Sequence, residues 1–466
     1  MKTCIDVAVK DFLQKPEELM ELYRRSCVDQ VQLYVGGITY LAPLDETAKA
    51  REMLMKAGFE TAAISVPVGH PKSSDLEPDP TPEQAAARTR AEWRYRIGPD
   101  GKPEYYSNEL TDKMIADTVS YVKDYASLGF DLFFLDDDCR AANLQQQIGG
   151  CFCPDCKAEF TRRTGFKAWD ECSEARKAWT VFQSERVTRL MKDMRAHIAH
   201  PGLMIMINGD ERHGVAARDI SFIDGAHVRV GEAHFFDSDA RTLKGRSEEY
   251  LAIASHLYRL GGRVETYSES TAVDPNQFLP IPLTTPQHMY SKAILALTAG
   301  VDNIDWMCHK HWDMMGERND DLRAFAAAAE GKRSWPVHIA RHSQIAGKGL
   351  YTNDTALMAG LPATGVFADE AEASSLLVID KELLTLPEWK SAAGKYQKVV
   401  TTDEDIRAAA RSLDIPMIDK GTAFISWIPE KNRAVVYNPL EEQQTVEVLG
   451  RQLTLAAGEG GVADQK

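Results

Sequence analysis

Short β-rich runs alternate with helical patterns over the first two thirds of the chain, and this alternation constrains the fold more than any other feature of the sequence. Eight runs between residues 3 and 307 have the composition of strands. They are Thr3–Val9, Val31–Val35, Thr61–Pro67, Asp131–Leu135, Leu203–Ile207, Ala226–Val230, Arg263–Tyr267 and Asn303–Met307. Strands that alternate with helices form parallel sheets, so the pattern predicts a (β/α)8 TIM barrel. The alternative is an open doubly wound sheet, but no glycine-rich phosphate turn follows the first strand.

The pattern changes after a helix predicted over Asp320–Lys332. Residues 333–420 predict a smaller α/β unit, and residues 421–466 predict a compact module of short β-strands. We therefore divide the chain into a barrel of residues 1–332, an α/β domain of residues 333–420 and a small β-sandwich-like module of residues 421–466. Helical patterns within the barrel fall at Pro16–Arg25, Leu44–Ala57, Leu110–Leu128, Glu174–Ile198, Ser247–Leu260 and Pro286–Ala299.

The composition is that of a globular protein. Hydrophobic residues make up 44% and charged residues 26% of the 466 positions, which excludes a disordered, collagen-like or disulfide-stapled chain. The formal net charge is −15 and no dense Lys/Arg block is present, so we expect neither a nucleic-acid nor a membrane partner. No apolar stretch approaches the roughly 20 residues of a membrane span. The first residues run into a predicted strand without a secretory signal, so we expect a cytoplasmic location and reduced cysteines.

Three cysteines cluster in Cys151-Phe-Cys153-Pro-Asp-Cys156, and Cys139 precedes them. Tetrahedral zinc binds four nitrogen or sulfur ligands, and this spacing places three thiols on one turn. The cluster therefore indicates a structural zinc site, with three reduced cysteines and no metal as the alternative. It lies in an insertion at residues 136–170, and a second insertion covers residues 70–108. Both follow predicted strands, at the barrel face where such enzymes keep their active sites.

An acidic run, Asp136–Asp138, comes directly after the fourth predicted strand. Adjacent carboxylates repel one another, so one of them can keep a proton near neutral pH. A carboxyl group of that kind is what a glycosidase uses as its acid/base. The alternative is a structural run that caps the next helix or pairs with Arg140.

The seventh predicted strand is also acidic, since it contains Glu265 and is followed by Glu269. A glutamate inside a strand faces either a functional mouth or an ion-pair partner. The partners that the sequence offers for Glu265 are Arg229 and Arg263. Polar and aromatic residues gather at the ends of other predicted strands and describe a polar pocket with an aromatic wall, which suits a sugar. The candidate substrate-binding residues are Arg140, Asn208, Arg229, Glu232, His234, Trp306 and His309.

These motifs resemble those of family-42 glycoside hydrolases, which are β-galactosidases. The run Leu135–Asp138 and the cysteine segment that follows it resemble the family's Asp-Asn-Glu acid/base motif and its Cys-Tyr-Cys-x-x-Cys zinc segment. Val264-Glu265-Thr-Tyr resembles its nucleophile strand, and Ala299–Trp306 is similar to its eighth-strand segment. The resemblance implies Asp138 as acid/base, Asp137 in place of the preceding Asn, and Glu265 as nucleophile. It also implies a flavodoxin-like α/β domain, a small C-terminal β domain and a homo-oligomer (dimer or trimer).

Some positions depart from the family's pattern. Asp138 is one methylene shorter than a glutamate, which widens the gap between the two carboxyl groups. The mechanism therefore stays open between retention, which needs roughly 5–5.5 Å, and inversion, which needs roughly 6.5–9.5 Å. Glu269 is an alternative nucleophile. The family's fourth zinc cysteine comes from earlier in the chain, and we take Cys139 as that ligand. Cys4 and Cys27 are also earlier but more distant in sequence. Cys172, which follows the cluster, is a later option.

The sequence thus predicts a glycosidase that cleaves a small carbohydrate substrate, a short oligosaccharide or glycoside, with a carboxylate acid/base, a carboxylate nucleophile and no organic cofactor. The alternative is a TIM barrel that binds carbohydrate without hydrolysing it, or a metal-dependent lyase or isomerase. In that case Asp136–Asp138 with His309 and His311 would hold a hard cation.

Overall fold

The computed structural model describes residues 1–37, 41–66, 68, 81, 83–84, 92–130, 132–135, 149–197, 203–206, 227–231, 241–262, 264–271, 285–307, 316–341 and 355–465. The strands up to residue 307 are β1 (Thr3–Ala8), β2 (Gln30–Gly37), β3 (Glu60–Val66), β4 (Tyr95–Ile97), β5 (Pro103–Asn108), β6 (Leu132–Leu135), β7 (Leu203–Met206), β8 (His227–Arg229), β9 (Glu265–Thr271) and β10 (Asn303–Met307). The helices of the same region and the one that follows it are α1 (Val9–Gln14), α2 (Pro16–Arg25), α3 (Leu44–Lys56), α4 (Asp112–Ala126), α5 (Pro154–Thr164), α6 (Ser173–His197), α7 (Leu243–Leu260), α8 (Pro286–Ala299) and α9 (Gly316–Ala328).

Local sequence signals account for the position of α8, which leads into β10. The Thr285 hydroxyl accepts a hydrogen bond from the backbone N–H of His288, and the His288 ring accepts one from the backbone N–H of Thr285, both at 3.3 Å. This reciprocal cap, with Pro286 in the first turn, fixes the start of the helix. Gly300 ends the helix with φ 113°, a left-handed conformation that favours glycine. The next strand begins three residues later.

The strands form a closed parallel barrel in the order β1-β10-β9-β8-β7-β6-β3-β2. Helices alternate with most of the barrel strands along the described parts of the chain. The structure therefore confirms the predicted TIM-type barrel. Strands β4 and β5 pair antiparallel outside the barrel and form a hairpin at the end of the insertion predicted over residues 70–108.

The strand register shows which residues face the barrel interior. Asp305 accepts a hydrogen bond of 3.2 Å from the Gln32 amide and one of 3.1 Å from the Arg229 guanidinium. Three different strands supply these side chains, so they meet inside the barrel. Side chains alternate along a strand, and the neighbours of Asp305 in β10, Ile304 and Trp306, therefore face the surrounding helices.

A second parallel sheet packs against the outside of the barrel. Its strands are β11 (Val337–Ala340), β12 (Ala363–Val366), β13 (Ser374–Val378) and β14 (Tyr396–Val400), in the order β12-β11-β13-β14. The helices α10 (Thr355–Met358), α11 (Pro387–Ala393) and α12 (Asp403–Arg411) belong to the same region. Ser255 of α7 donates a hydrogen bond of 2.7 Å to the carbonyl of Gly365 in β12, which joins this sheet to a barrel helix.

The last strands form two antiparallel sheets, β15-β18-β19 and β16-β17-β20. Their bounds are β15 (Ile418–Lys420), β16 (Phe424–Ile428), β17 (Arg433–Tyr437), β18 (Gln444–Val448), β19 (Arg451–Leu455) and β20 (Gly460–Asp464). Ile425, Val436 and Val446 are fully buried in a cluster that both sheets share. Phe424 and Tyr437 instead join the main hydrophobic core together with barrel residues. Within the described ranges, no helix is both long and apolar enough to cross a membrane.

Candidate functional site

The acidic run that the sequence predicts as the acid/base begins directly past the carboxyl end of a barrel strand. Leu135 is the last residue of β6, and Asp136 follows it in the chain. Barrel enzymes build their active sites from the residues that follow the carboxyl ends of the strands. Several predicted site residues lie outside the described residues: Asp136, Asp137, Asp138, Cys139, Arg140, Asn208, Glu232, His234, His309 and His311.

Glu265, the predicted nucleophile, lies at the opposite end of the barrel. It is the first residue of β9, and its register partner in the neighbouring strand is His227, the first residue of β8. Its carboxylate accepts a hydrogen bond of 2.7 Å from Asn303, the first residue of β10. Three strand beginnings therefore surround Glu265. Catalytic residues are not expected at this amino-terminal face, where barrels carry residues that serve stability.

The surroundings of Glu265 stabilise its charged form. The His227 ring nitrogen Nδ1 lies 3.0 Å from the carboxylate. The hydrogen bond from His227, then that from Asn303, outweighs the effect of burial and lowers the pKa of Glu265 to about 2. Of the two arginines that the sequence offers as partners, Arg229 pairs with Asp305, and Arg263 lies outside the described residues. Glu265 is thus a charged group in a polar cluster at the base of the barrel.

Glu269, the alternative nucleophile, lies further along the same strand. It is the fifth residue of β9 and is opposite Asp305 of β10 in the register. A strand rises roughly 3.3 Å per residue, so four residues separate Glu269 from Glu265 by about 13 Å along β9. Glu269 therefore belongs to the carboxyl-terminal half of the strand, which is the half that leads to the active-site face of a barrel.

The side chain of Arg229, which the sequence predicts to bind substrate, lies in the barrel interior. Its side chain is 2% exposed and that of Asp305 is 1% exposed, with 3.1 Å between the charged atoms. The guanidinium also lies over the ring of Phe134, 4.5 Å from its centre, a favourable cation–π position. A buried ion pair with a matched partner is a structural feature of the barrel. This placement gives Arg229 a structural role, and its contact with a sugar stays a prediction.

Trp306, predicted as the aromatic wall of the pocket, faces away from the interior. It is 2% exposed and belongs to the main hydrophobic core. Its register partners are Ile5 of β1 and Ser270 of β9, and it alternates with the interior residue Asp305. The sequence correctly placed Trp306 in the eighth barrel strand, but the alternation within the strand turns its ring toward the helices. Burial among the helices does not favour stacking on a sugar, and that contact of Trp306 stays a prediction.

The structure brings the three clustered cysteines together with a carboxylate that the sequence did not single out. One ligand atom from each of Glu109, Cys151, Cys153 and Cys156 lies within 4.8 Å of the others, and all four residues are buried. The Glu109 oxygen Oε1 is 3.2 Å from the Cys153 sulfur and 3.6 Å from the Cys156 sulfur. Cys139 lies outside the described residues. Cys172, the later option, precedes α6 and is not a member of the group.

The chain around the cluster is built to hold these groups close. Gly150 has φ +116°, and a Cβ atom there would collide with the Gln183 side chain, so only glycine fits this approach. Cys153 caps the start of α5, where its sulfur accepts the backbone N–H of Cys156 at 3.4 Å. Phe152 stacks on Trp179 with 4.7 Å between ring centres. The stacking of Phe152 on Trp179 and the helix cap at Cys153 therefore hold the thiols in place.

The ionisable groups of the cluster perturb one another because they are buried at short range. Burial, with the neighbouring Cys153, raises the pKa of Glu109 to about 7. Hydrogen bonds from Cys153 and Cys156 lower the pKa of Cys151 to about 3. Three thiols and a carboxyl group therefore share protons at short range, and a bound cation would replace those protons. Three sulfur donors and one oxygen donor in a buried group fit a tetrahedral zinc ion.

The comparison with protein-family models and with curated proteins finds no match. Solved structures match over the whole chain. The β-galactosidase from Rahnella sp. R3 superposes with a TM-score of 0.66 at 12% identity and covers 99% of this chain and 98% of its own. The β-galactosidase from Bacillus circulans sp. alkalophilus gives 0.65 at 10% identity, with 99% and 98% covered. A GH42 exo-carrageenase from Bacteroides ovatus gives 0.57 at 12% identity, with 94% and 80% covered. These likenesses confirm the resemblance to family-42 glycoside hydrolases at the level of the fold.

Proposed function

We propose that the chain is a glycoside hydrolase with its site at the carboxyl ends of the barrel strands, where Asp138 is the acid/base and Glu269 is the nucleophile. The fold supports this proposal, since it is shared over nearly the whole chain with two β-galactosidases. The observation that carries the assignment is the position of the two glutamates in β9. Glu269 lies in the carboxyl-terminal half of the strand and Glu265 is its first residue.

The position of Glu265 at the beginning of β9 argues against its reaction with the acidic run. The run follows Leu135, the carboxyl end of β6, whereas Glu265 is surrounded by strand beginnings. A retaining glycosidase needs its two carboxyl groups roughly 5–5.5 Å apart. Glu265 lies about 13 Å from Glu269 along β9. It is therefore further from the active-site face than Glu269 is. The nucleophile role passes to Glu269.

In this assignment Asp138 acts first as acid and then as base, and Glu269 acts as nucleophile. Asp138 protonates the oxygen of the leaving group, and the negative charge of its neighbour Asp137 helps it to keep that proton near neutral pH. Glu269 attacks the anomeric carbon and forms the glycosyl-enzyme. Asp138 then removes a proton from the water that hydrolyses this intermediate, so the reaction retains the configuration at the anomeric carbon.

The substrate is a small carbohydrate, and β-galactosides are the first compounds to test because the two β-galactosidases share the fold. Arg229 and Trp306 leave the set of substrate contacts for the reasons given above. The remaining proposed contacts are Arg140, Asn208, Glu232, His234 and His309.

We further propose that the chain divides into a barrel of residues 1–332, a flavodoxin-like domain of residues 333–420 and a β module of residues 421–466. The strand order β12-β11-β13-β14 supports the second domain, because 2-1-3-4 is the beginning of the 2-1-3-4-5 order of flavodoxin-like sheets. A homo-oligomer and a cytoplasmic location complete the proposal. A light-scattering mass of one chain would contradict the oligomer.

A labelling experiment tests the function and the nucleophile together. The protein is first screened against chromogenic glycosides, β-galactosides first. The 2-deoxy-2-fluoro form of the best substrate is then used to trap the glycosyl-enzyme, and peptide fragmentation locates the label. We expect hydrolysis and a label on Glu269. A label on Glu265 would contradict the assignment of the nucleophile. Binding of sugars without any hydrolysis would favour the non-hydrolytic alternative.

A further inference from the structure

The cysteine cluster joins two parts of the chain that are distant in sequence. Cys151, Cys153 and Cys156 lie at the start of α5, and Glu109 directly follows β5. We propose that Glu109 is the fourth ligand of a zinc ion held by these three cysteines, so that the site has three sulfur ligands and one oxygen ligand and does not include Cys139. This inference does not depend on the proposed hydrolysis.

The distances fit a tetrahedral ion. Zinc–sulfur bonds of roughly 2.3 Å and zinc–oxygen bonds of roughly 2.1 Å at the tetrahedral angle place a sulfur and an oxygen ligand about 3.6 Å apart. The Glu109 oxygen Oε1 lies 3.2 Å from the Cys153 sulfur and 3.6 Å from the Cys156 sulfur. The carboxylate therefore already occupies a ligand position beside the thiols.

Two arginines account for the charge of such a site. Zinc with three thiolates and one carboxylate carries a net charge of about −2, which is costly in a buried place. Arg94 lies 2.9 Å from the second oxygen of Glu109, Oε2, and leaves Oε1 directed at the sulfurs. Arg186 donates a hydrogen bond of 2.6 Å to the Cys156 sulfur. These outer partners orient the ligands and offset the charge.

Backbone groups stabilise the thiolates as well. The N–H of Ile97 in β4 donates to the Cys151 sulfur at 3.5 Å, and the N–H of Cys156 donates to the Cys153 sulfur at 3.4 Å. The start of a helix favours negative charge, which adds to the stability of the Cys153 thiolate. The hairpin of β4 and β5 thus takes part in the site through both Ile97 and Glu109.

The proposed ion has a structural consequence for the acidic run. The run follows β6, and the same segment of chain reaches Cys151 sixteen residues after Leu135. An ion that ties Cys151, Cys153 and Cys156 to Glu109 fixes the far end of that segment, since β6 already fixes the near end. Loss of the ion should therefore release Cys151, Cys153 and Cys156 from Glu109 before it affects the barrel.

Metal content and cobalt absorption test the ligand set without reference to activity. The zinc content of the purified full chain is measured for the wild type, Glu109→Gln, Glu109→Cys and Cys139→Ser. The proteins are then exchanged with Co²⁺, whose sulfur-to-metal absorption band grows with the number of thiolate ligands. We expect one zinc per chain in the wild type and in Cys139→Ser, with equal cobalt bands.

Glu109→Cys should raise the cobalt band by about one third, because four thiolates replace three. Glu109→Gln should weaken zinc binding about tenfold or more, and if that variant fails to fold, the folded Glu109→Cys protein still decides the result. The inference is overturned if Cys139→Ser loses zinc and about a quarter of the cobalt band while Glu109→Cys leaves the band unchanged. A wild-type chain without stoichiometric metal overturns it as well.

Discussion

The carboxylate of Glu265 accepts a hydrogen bond of 2.7 Å from the side chain of Asn303, and each of these residues is the first of its strand. The contact marks the amino-terminal end of the barrel between β9 and β10. His227, the first residue of β8, completes the cluster at 3.0 Å from the same carboxylate. Glu265 therefore stabilises the base of the barrel, and the chemistry we propose lies at the other end.

Substitution of Glu265 by Gln should lower stability at neutral pH and leave it almost unchanged in strong acid. The pKa of Glu265 is lowered from 4.5 to about 2, first by the hydrogen bond from His227. A carboxylate with a lowered pKa adds stability that is complete above its unfolded value and lost as the pH falls through its folded value. The difference between wild type and variant should therefore disappear as the pH falls from 4.5 to about 2. Because the side chain is partly exposed, we expect a difference of only about 1 kcal/mol at pH 7.

Urea unfolding of both proteins across this pH range measures the effect. A difference that does not change with pH would contradict it. Asn303→Ala serves as a matched control, because it removes one hydrogen bond to Glu265 but no titrating group.

Removing only one partner of the buried ion pair between Arg229 and Asp305 should lower the stability of the protein. Arg229→Met leaves the Asp305 carboxylate buried without its guanidinium partner, and we expect a loss of about 3–5 kcal/mol. The double variant Arg229→Met with Asp305→Leu removes both charges and should recover most of that loss. Thermal unfolding compares the three proteins. A single variant as stable as the wild type, with a raised KM, would restore Arg229 to the substrate site.

Tyr437 should couple the stability of the β module to that of the barrel. Its hydroxyl lies 2.7 Å from the Ser291 hydroxyl of α8 and accepts a hydrogen bond of 3.2 Å from Arg246 of α7. The residue is fully buried, so Tyr437→Phe should cost about 1–2 kcal/mol. The hydrogen bond links the β module to the barrel within one hydrophobic core. We therefore expect the β module and the barrel to unfold together, in a single transition in denaturant.

A double-mutant cycle of Tyr437→Phe with Ser291→Ala isolates this contact. We expect the two losses to be less than additive. Additive losses would show that the hydroxyls do not interact, and a separate transition for the β module would contradict the shared core.

The fold was predictable because the sequence carries its signals locally. The helices α2 and α8 begin and end where the sequence predicts them, since each has a proline in its first turn and α8 has a reciprocal cap. The prediction failed at the end of the seventh barrel strand, which was expected to stop at Tyr267 but extends to Thr271. The polar run that follows Tyr267 has the composition of a loop, yet β10 pairs with it through Asp305 and Met307. That error placed Glu265 too near the active-site face.

The candidate site was less predictable because its contacts are not local. Glu109 precedes Cys151 by 42 residues and has no spacing relationship to the cysteines that a motif would show. A search among cysteines alone could not find the carboxylate that completes the described cluster. A signal that could have found it is the position of Glu109 at the end of the first insertion, since both insertions follow strands of the same barrel face. Alternation along β10 likewise decided the direction of Trp306, and only the partners of Asp305 revealed it.

The activities of Glu269→Gln and Glu265→Gln, measured side by side on the best glycoside, test the central claim most directly. The two substitutions are chemically identical and lie four residues apart in β9. We expect Glu269→Gln to lose about three orders of magnitude or more in kcat with little change in Tm, because it removes the nucleophile. Glu265→Gln should keep kcat within a few-fold of the wild type and show the lower Tm. An inactive Glu265→Gln beside an active Glu269→Gln would contradict the account.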